Sequence, residues 1–512
     1  MREAWGRLAA LKAPAEVGES LALRQTKWLQ DCLNGARNTR FGIKHGFERL
    51  RSPTEFRASV PLHTYEDLRP WLEQVALGVP DVLFEGLPIA FERTGGSEGG
   101  PKLIPYSRAG LLDFQKALRP WLGEAVRRYG LTDGSCYWVT SPALREPEEI
   151  LPGIPIGLPD AAYLGEDLLP DLGLLSALPT WVGTLRNETA WRLATLYALV
   201  VRSDLTFISL WSPTFFLLLL DHLATECPEL DELLRIGGKL EGHPIPPDLA
   251  GLQRLHTFRI QGQTELLWPR LRLVSAWADG ASAAFAKDLQ ERLPQACFEP
   301  KGLLSTEGVV SIPLTGGAPV LAGDSAFFEF LDDKNKVWFA HELEHGQAYE
   351  VVLTTASGLY RYRTGDTIRC TGFAGDTPRI QFLGRLGMVS DLVGEKLNEA
   401  FVAQCLENLP GFRMLIPSCD PELRYLLVVD EARRKPDPSA LRSLEMRLEG
   451  NPQYAHARRL GQLGAVEPLP VQDPLAKFLA RRSLEGHRAG NLKVPALCPE
   501  LHWESIFRQE HP

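Results

Sequence analysis

Apolar residues recur at helical spacing through much of the first part of the chain. Residues 20–36 and 64–77 read as amphipathic helices, apolar along one face and polar along the other. Ser107 stands where an N-cap would, ahead of a longer helix on which Leu111, Phe114, Leu118, Leu122 and Val126 share a face. Pro120 predicts a kink within it, because proline removes one backbone donor. Residues 187–202 and 213–226 are apolar at most positions and are expected inside the fold. From 327 to 382 the period shortens to that of strands: FFEFLDD, KVWFAHEL, QAYEVVLTT, LYRYRTGD and RIQFLG. Asp332-Asp333-Lys334-Asn335 suits a hairpin turn between the first two. Arg361 and Arg363 alternate and are expected on one side of a strand, with one of them paired to an acid across the sheet.

After Gly384-Arg385-Leu386-Gly387 short strands and helices alternate, as in RMLIPSC, RYLLVVD and a helix over 438–448. Two glycines at this change predict a hinge, and we set the boundary near residue 386. The fold class is α/β. Residues 1–385 form a large N-terminal domain with a β-rich subdomain over about 320–385, and 386–512 form a small C-terminal α/β domain.

A length of 512 residues is too much for one ordinary core, in keeping with this division. A 44% hydrophobic and 23% charged composition is that of a soluble globular protein. The net charge of −9 and the lack of a basic stripe argue against a nucleic-acid partner. The start, MREAWGRLAALKAP, lacks the apolar core of a secretory signal. The densest apolar stretch, 215–220, is far too short to span a membrane. Eight cysteines are scattered without a C-x-x-C pair, as expected of buried thiols in a reduced cytoplasm. No zinc site is expected from the histidines, of which His341 and His345 alone stand at H-x-x-x-H spacing.

The chemistry begins at residues 94–102, Thr94-Gly95-Gly96-Ser97-Glu98-Gly99-Gly100-Pro101-Lys102. Four glycines let backbone N–H groups approach a polyanion closely, and a lysine adds a mobile positive charge. A flexible surface turn would have a similar composition. The loop is not a P-loop, since Pro101 follows the second glycine pair and Leu103 stands after Lys102, where a hydroxyl is needed. Three further motifs follow in order: Leu303-Leu304-Ser305-Thr306-Glu307-Gly308, then Tyr360-Arg361-Tyr362-Arg363-Thr364-Gly365-Asp366 with Phe382-Leu383-Gly384-Arg385, then Gly490-Asn491-Leu492-Lys493-Val494-Pro495. Taken singly each has a plainer reading. Thr306 and Glu307 suit a helix-start capping pair, Gly365-Asp366 a turn, and Lys493 a solvated surface position.

Taken in order, these motifs resemble the adenylate-forming superfamily of acyl-CoA synthetases, peptide-synthetase adenylation domains and luciferases. They look more closely like its auxin-responsive Gretchen Hagen branch, the acyl acid amido synthetases. That branch has an S-G-T-S-E-G loop with a lysine three residues on, which Gly95-Gly96-Ser97-Glu98-Gly99 and Lys102 match. RFGIKHGF, VPLHTYEDLRPWLE, PKLIPYS, GLPDAAYLG, ISLWSPTFFLLLL and VGEKLNEA belong to the same pattern, so the resemblance spans nearly the whole chain.

The resemblance implies ATP and Mg2+ as cofactors, and a mobile C-terminal domain. It implies that Thr94, Gly95, Gly96, Ser97, Gly99 and Lys102 hold the β- and γ-phosphates, and that Ser305, Thr306 and Tyr362 line the nucleotide. By the same resemblance Thr306 touches the α-phosphate, Glu307 binds Mg2+ and Asp366 accepts the ribose hydroxyls. Arg385 and Lys493 contact the nucleotide during catalysis, with Lys493 stabilising charge on the α-phosphate. Lys396, in VGEKLNEA, is a second lysine of interest without an assigned role. The acyl pocket is expected around Trp211, Phe215 and Tyr163, whose rings suit core packing equally well.

Two positions depart from the family. Gly96 replaces a threonine, which removes one hydroxyl donor to phosphate. Leu303 replaces the tyrosine that flanks adenine in plant members, so adenine is expected against aliphatic side chains. The expected activity is a ligase joining a carboxylic acid to an amino acid or other amine, in a cytoplasmic monomer or weak homo-oligomer. A coenzyme A or carrier-protein ligase and a non-catalytic nucleotide-binding relative are the alternatives.

Overall fold

A computed structural model describes the chain except for residues 13–18, 94–101, 139–148, 159, 315–316, 386–388, 421, 433–436, 486–491 and 510–512. It divides into two compact units: Met1–Ile208 with Glu299–Phe382, and Ser209–Phe298 with Leu383–Pro512.

In the first unit the expected helices form where their caps stand. Ser20 caps Leu21–Ala36, and Thr64 and Asp67 exchange hydrogen bonds in a capping box ahead of Tyr65–Ala76. Both bonds from Thr64, the backbone N–H foremost, hold the Asp67 carboxyl below its usual range. Ser107 accepts from Gly110 N at 2.9 Å and starts Arg108–Arg128. That helix continues through Pro120 as one element, with Phe114, Leu118, Leu122 and Val126 buried. Glu188–Val201 is buried along most of its length, as its apolar composition requires.

The strands over 311–385 form a seven-stranded antiparallel sheet. Its order runs Ser311–Ile312, Val320–Leu321, Thr377–Arg385, Tyr362–Ala374, Ala348–Thr354, Phe327–Leu331, Val337–Phe339. The Asp332 hairpin forms as expected. Asp332 Oδ1 accepts from Lys334 N and Lys336 N, and Asn335 adopts φ 60°. Arg361 precedes its strand at φ 47°, so two-residue alternation does not relate it to Arg363. Both arginines are ion-paired, Arg361 with Glu329 and Arg363 with Glu350, where one pair was expected.

In the second unit, Pro213–Ala224 buries Phe215, Phe216, Leu219, Leu220 and Leu223. Strands Arg413–Ser418 and Arg424–Asp430 pair antiparallel, and Glu467–Val471 adds to them in parallel. Helices Glu399–Leu406, Pro438–Leu448 and Pro452–Arg459 contribute Val402, Leu444, Leu448 and Tyr454 to the core beside this sheet. All eight cysteines are free, and no helix among the described residues is long and apolar enough to cross a membrane.

Candidate nucleotide site

Thr94, Gly95, Gly96, Ser97 and Gly99 lie outside the described residues, but both flanks of their loop are described. Ala90–Arg93 enters it and Leu103–Tyr106 leaves it, paired antiparallel with Arg93 opposite Leu103. Lys102 directly precedes the second of these strands. Lys102 Nζ donates to the Tyr362 hydroxyl at 3.4 Å and lies 5.5 Å from the centroid of Tyr65. The Tyr65 hydroxyl in turn accepts from Leu103 N at 3.0 Å. His63 explains why these residues meet. Its N–H donates to Arg361 O and its carbonyl accepts from Arg363 N, which fixes the helix start at Thr64 beside Tyr362. Tyr65 was not singled out from the sequence, although it lies within VPLHTYEDLRPWLE.

Thr306 and Glu307 do not begin a helix. They form the tip of a tight turn in which Ser305 N donates to Gly308 O at 3.0 Å and Gly308 N donates to Ser305 O at 3.2 Å. The Ser305 hydroxyl also donates to Gly308 O, so its first duty is to close the turn. Leu304 and Val309 bridge below it. Gly302 lets the incoming strand pass close to its neighbour, since a Cβ there would meet Ser311 O at 1.9 Å. Leu303 is buried and its N–H donates to the Ser311 hydroxyl.

Glu307 is buried, and its Oε2 accepts from Thr306 Oγ1 at 3.1 Å. A buried carboxylate beside a hydroxyl is a hard-oxygen donor set, which fits Mg2+. Among the described residues no group of three or more His, Cys, Asp or Glu is arranged to hold a metal ion. One carboxylate completed by phosphate oxygens is the usual way Mg2+ is held on a nucleotide.

Asp366 lies not in a loop turn but in a strand irregularity. Val352 pairs with Arg363 and Glu350 with Thr367, so Thr364, Gly365 and Asp366 stand opposite Val351 alone. Gly365 supplies the φ of 77° that this bulge requires, and Thr364 Oγ1 secures it by donating to Val351 O and accepting from Asp366 N. Asp366 is buried there, four residues along the strand from Tyr362. Bulges of this kind re-aim a side chain next to functional sites.

Tyr163, one of the three pocket candidates, belongs to this first unit. Its hydroxyl donates to Glu92 Oε1 at 2.6 Å, and its ring packs on Phe114 at 4.9 Å. Trp211 and Phe215 belong to the second unit. Phe215 is only 3% exposed, whereas Trp211 is partly exposed and faces Trp277 at 5.9 Å.

Arg385 ends the strand Thr377–Arg385, and the neighbouring residues 386–388 of the expected hinge lie outside the described residues. Gly490 and Asn491 are likewise outside them, but Lys493 is described. It is exposed, and its Nζ lies 4.4 Å from the centroid of Trp277, a cation–π contact within the second unit. Lys396 adopts φ 47° directly after Glu395, a fully buried carboxylate that accepts from Leu392 N and Val393 N at 2.8 Å and from the Tyr425 hydroxyl.

Comparison with known families identifies the chain. The GH3 family N-terminal domain matches residues 15–298, more than half of the chain, and the GH3 family central domain matches residues 319–385. The chain belongs to the GH3 family. Among curated relatives, indole-3-acetic acid-amido synthetase GH3.15 of Arabidopsis thaliana is 26% identical over 439 residues, covering 75% of this chain and 69% of the relative. Indole-3-acetic acid-amido synthetase GH3.8 of Oryza sativa subsp. indica is 23% identical over 433 residues, covering 75% and 69%. The solved AtGH3.15 acyl acid amido synthetase in complex with 2,4-DB superposes with a TM-score of 0.82 at 18% identity, over 99% of this chain and 96% of that one. A 2-hydroxyisobutyryl-CoA ligase in the postadenylation state superposes at 0.58 with 13% identity, over 99% and 98%. The GH3 chain thus has the α/β adenylate-forming fold expected from its motifs.

Proposed function

We propose that this GH3 protein activates a carboxylic acid with Mg-ATP as an acyl-adenylate and then transfers the acyl group to an amino acid or other amine. Adenylation brings a carboxylate to the α-phosphorus of ATP, so charge must be neutralised and the attack aligned. The observation that carries the proposal is the turn over 305–308, which holds Thr306 beside a buried Glu307 in a chain of this family.

In this scheme residues 94–99 and Lys102 hold the leaving phosphates. Thr306 contacts the α-phosphate, Glu307 holds Mg2+, and Asp366 accepts the ribose hydroxyls with its two oxygens. Mg2+, once bound, screens charge between the phosphates and the incoming carboxylate. Arg385 and Lys493 act on the nucleotide, and Tyr163, Trp211 and Phe215 serve the acid. The functional division is into residues 1–385 and 386–512, which rotate about 385–388 between the two half-reactions so that each constellation is completed in turn. The setting is cytoplasmic.

The test is pyrophosphate release from ATP with a panel of aromatic and aliphatic acids, each with and without mixed amino acids. Acid-dependent release that rises with amino acids, together with an amide by mass spectrometry, is the expected result. Release that responds only to coenzyme A would replace the amine by a thiol. Replacing Lys102 with methionine keeps an unbranched side chain and deletes the charge that lies over Tyr65. It should raise the KM for ATP roughly tenfold or more, the scale of one lost hydrogen bond to a charged group. An unchanged KM would take Lys102 out of the phosphate site.

A further inference from the structure

Tyr106 has no role in the scheme so far, yet it is built into the turn that carries Thr306 and Glu307. It ends the strand that leaves the glycine-rich loop and is 4% exposed. Its hydroxyl donates to the Thr306 carbonyl at 2.6 Å. Burial, reinforced by the nearby carboxylates of Glu92 and Glu307, pushes its phenol well above the usual range, so it is a standing donor. The ring is fixed independently of that bond, edge-on to Tyr163 at 5.8 Å and tilted against Phe114 at 6.4 Å. Tyr163 is itself held by Glu92, which also accepts from Leu158 N at 2.6 Å.

The acceptor matters. The two hydrogen bonds that close this four-residue turn run between 305 and 308 and do not involve the central peptide, between Thr306 and Glu307. That peptide is the soft element of any β-turn, because common turn types differ by rotating it as one plane. Neither Thr306 nor Glu307 has a positive φ, so the turn holds one orientation of this plane. Rotation would carry the Thr306 carbonyl away from Tyr106 and re-aim the Glu307 side chain.

We propose that Tyr106 is a positioning residue that holds the Thr306–Glu307 peptide in the orientation in which Glu307 receives the Mg2+ of Mg-ATP. Tyr106 has this role only if the turn carries Mg-ATP, as proposed above. The site then extends beyond the carboxylate to a phenol 200 residues earlier in the chain.

The test is calorimetric titration of ATP in EDTA and of ATP with Mg2+ into the wild type, Tyr106→Phe, Glu307→Gln and the double variant. Phenylalanine retains the ring packing and deletes the hydroxyl, with its bond to the Thr306 carbonyl and its hydrogen-bond contact with Tyr163. Tyr106→Phe should bind Mg-free ATP as the wild type does, and lose about tenfold of the affinity gained from Mg2+, the scale of one buried hydrogen bond. Glu307→Gln should abolish that gain, and the double variant should lose nothing further. A wild-type Mg2+ gain in Tyr106→Phe overturns the proposal, as does an equal loss with and without Mg2+, which marks a packing role. A loss from Tyr106→Phe that adds fully to that of Glu307→Gln also overturns it. Failure of the wild type to bind ATP under either condition overturns the nucleotide-site assignment and this role with it.

Discussion

Lys493→Ala should slow acid-dependent ATP–pyrophosphate exchange by ~10²-fold or more, the scale of deleting one preorganised contact to a developing anion. The surroundings of the residue favour a clean measurement. Leu492 and Val494 on either side are buried, while Lys493 is exposed. The segment after it is anchored by backbone bonds. Leu415 N donates to Ala496 O at 2.8 Å, Cys498 N donates to Leu415 O at 2.9 Å, and Ala496 N donates to Glu399 Oε1 at 3.3 Å. None of these bonds uses the Lys493 side chain, so the substitution should remove a charge without unfolding its support. Amide formation from a supplied acyl-adenylate should be much less affected, because the α-phosphate charge has already been dealt with in that step. Exchange at the wild-type rate in the folded variant would take Lys493 out of the adenylation step.

The second large effect is on stability. Glu329→Gln should destabilise the protein by about 3–5 kcal/mol, the usual cost of removing one partner from a buried ion pair. Arg361 is 4% exposed and Glu329 1% exposed. Arg361 Nε donates to Glu329 Oε2 at 2.8 Å and its Nη2 to Oε1 at 3.1 Å, a bidentate pair. Its Nη1 donates to Arg57 O at 3.0 Å and Val60 O at 2.7 Å, and Arg57 Nε also reaches Glu329 Oε1 at 3.0 Å. One carboxylate thus compensates two guanidinium groups and ties the end of helix Pro53–Ser59 to strand Phe327–Leu331. With glutamine, the buried Arg361 and the partly exposed Arg57 face one neutral amide. Arg361 also holds Tyr362 and His63 in place through its backbone, so ATP affinity should fall with stability. A urea midpoint indistinguishable from wild type would show that the pair is not needed to hold this junction.

Much of the local structure was legible because its causes are local. The amphipathic helix after residue 64, the Ser107 cap and the Asp332 turn each depend on residues close along the chain. Thr306, Glu307, Asp366, Arg385 and Lys493 stood out as candidates in an ordered set of motifs, but their conformations did not. Thr306 and Glu307 suit a helix start by composition, yet Ser305 and Gly308 close on each other and make a turn. Gly365-Asp366 suits a loop turn, yet it forms a bulge because three residues stand opposite Val351. Arg361 and Arg363 suit alternation on a strand, yet the positive φ of Arg361 takes it off the strand and into its own ion pair.

The sequence by itself determined the order of elements and the resemblance that the GH3 match then established, and it named the candidate residues. Only the tertiary structure decided which side chains meet those candidates. Lys102 meets Tyr362 across 260 residues, and Tyr106 meets Thr306 across 200. Such pairs leave no mark in local periodicity, because the free energy that forms them comes from packing distant segments, whereas caps, turns and amphipathic faces form from neighbours along the chain.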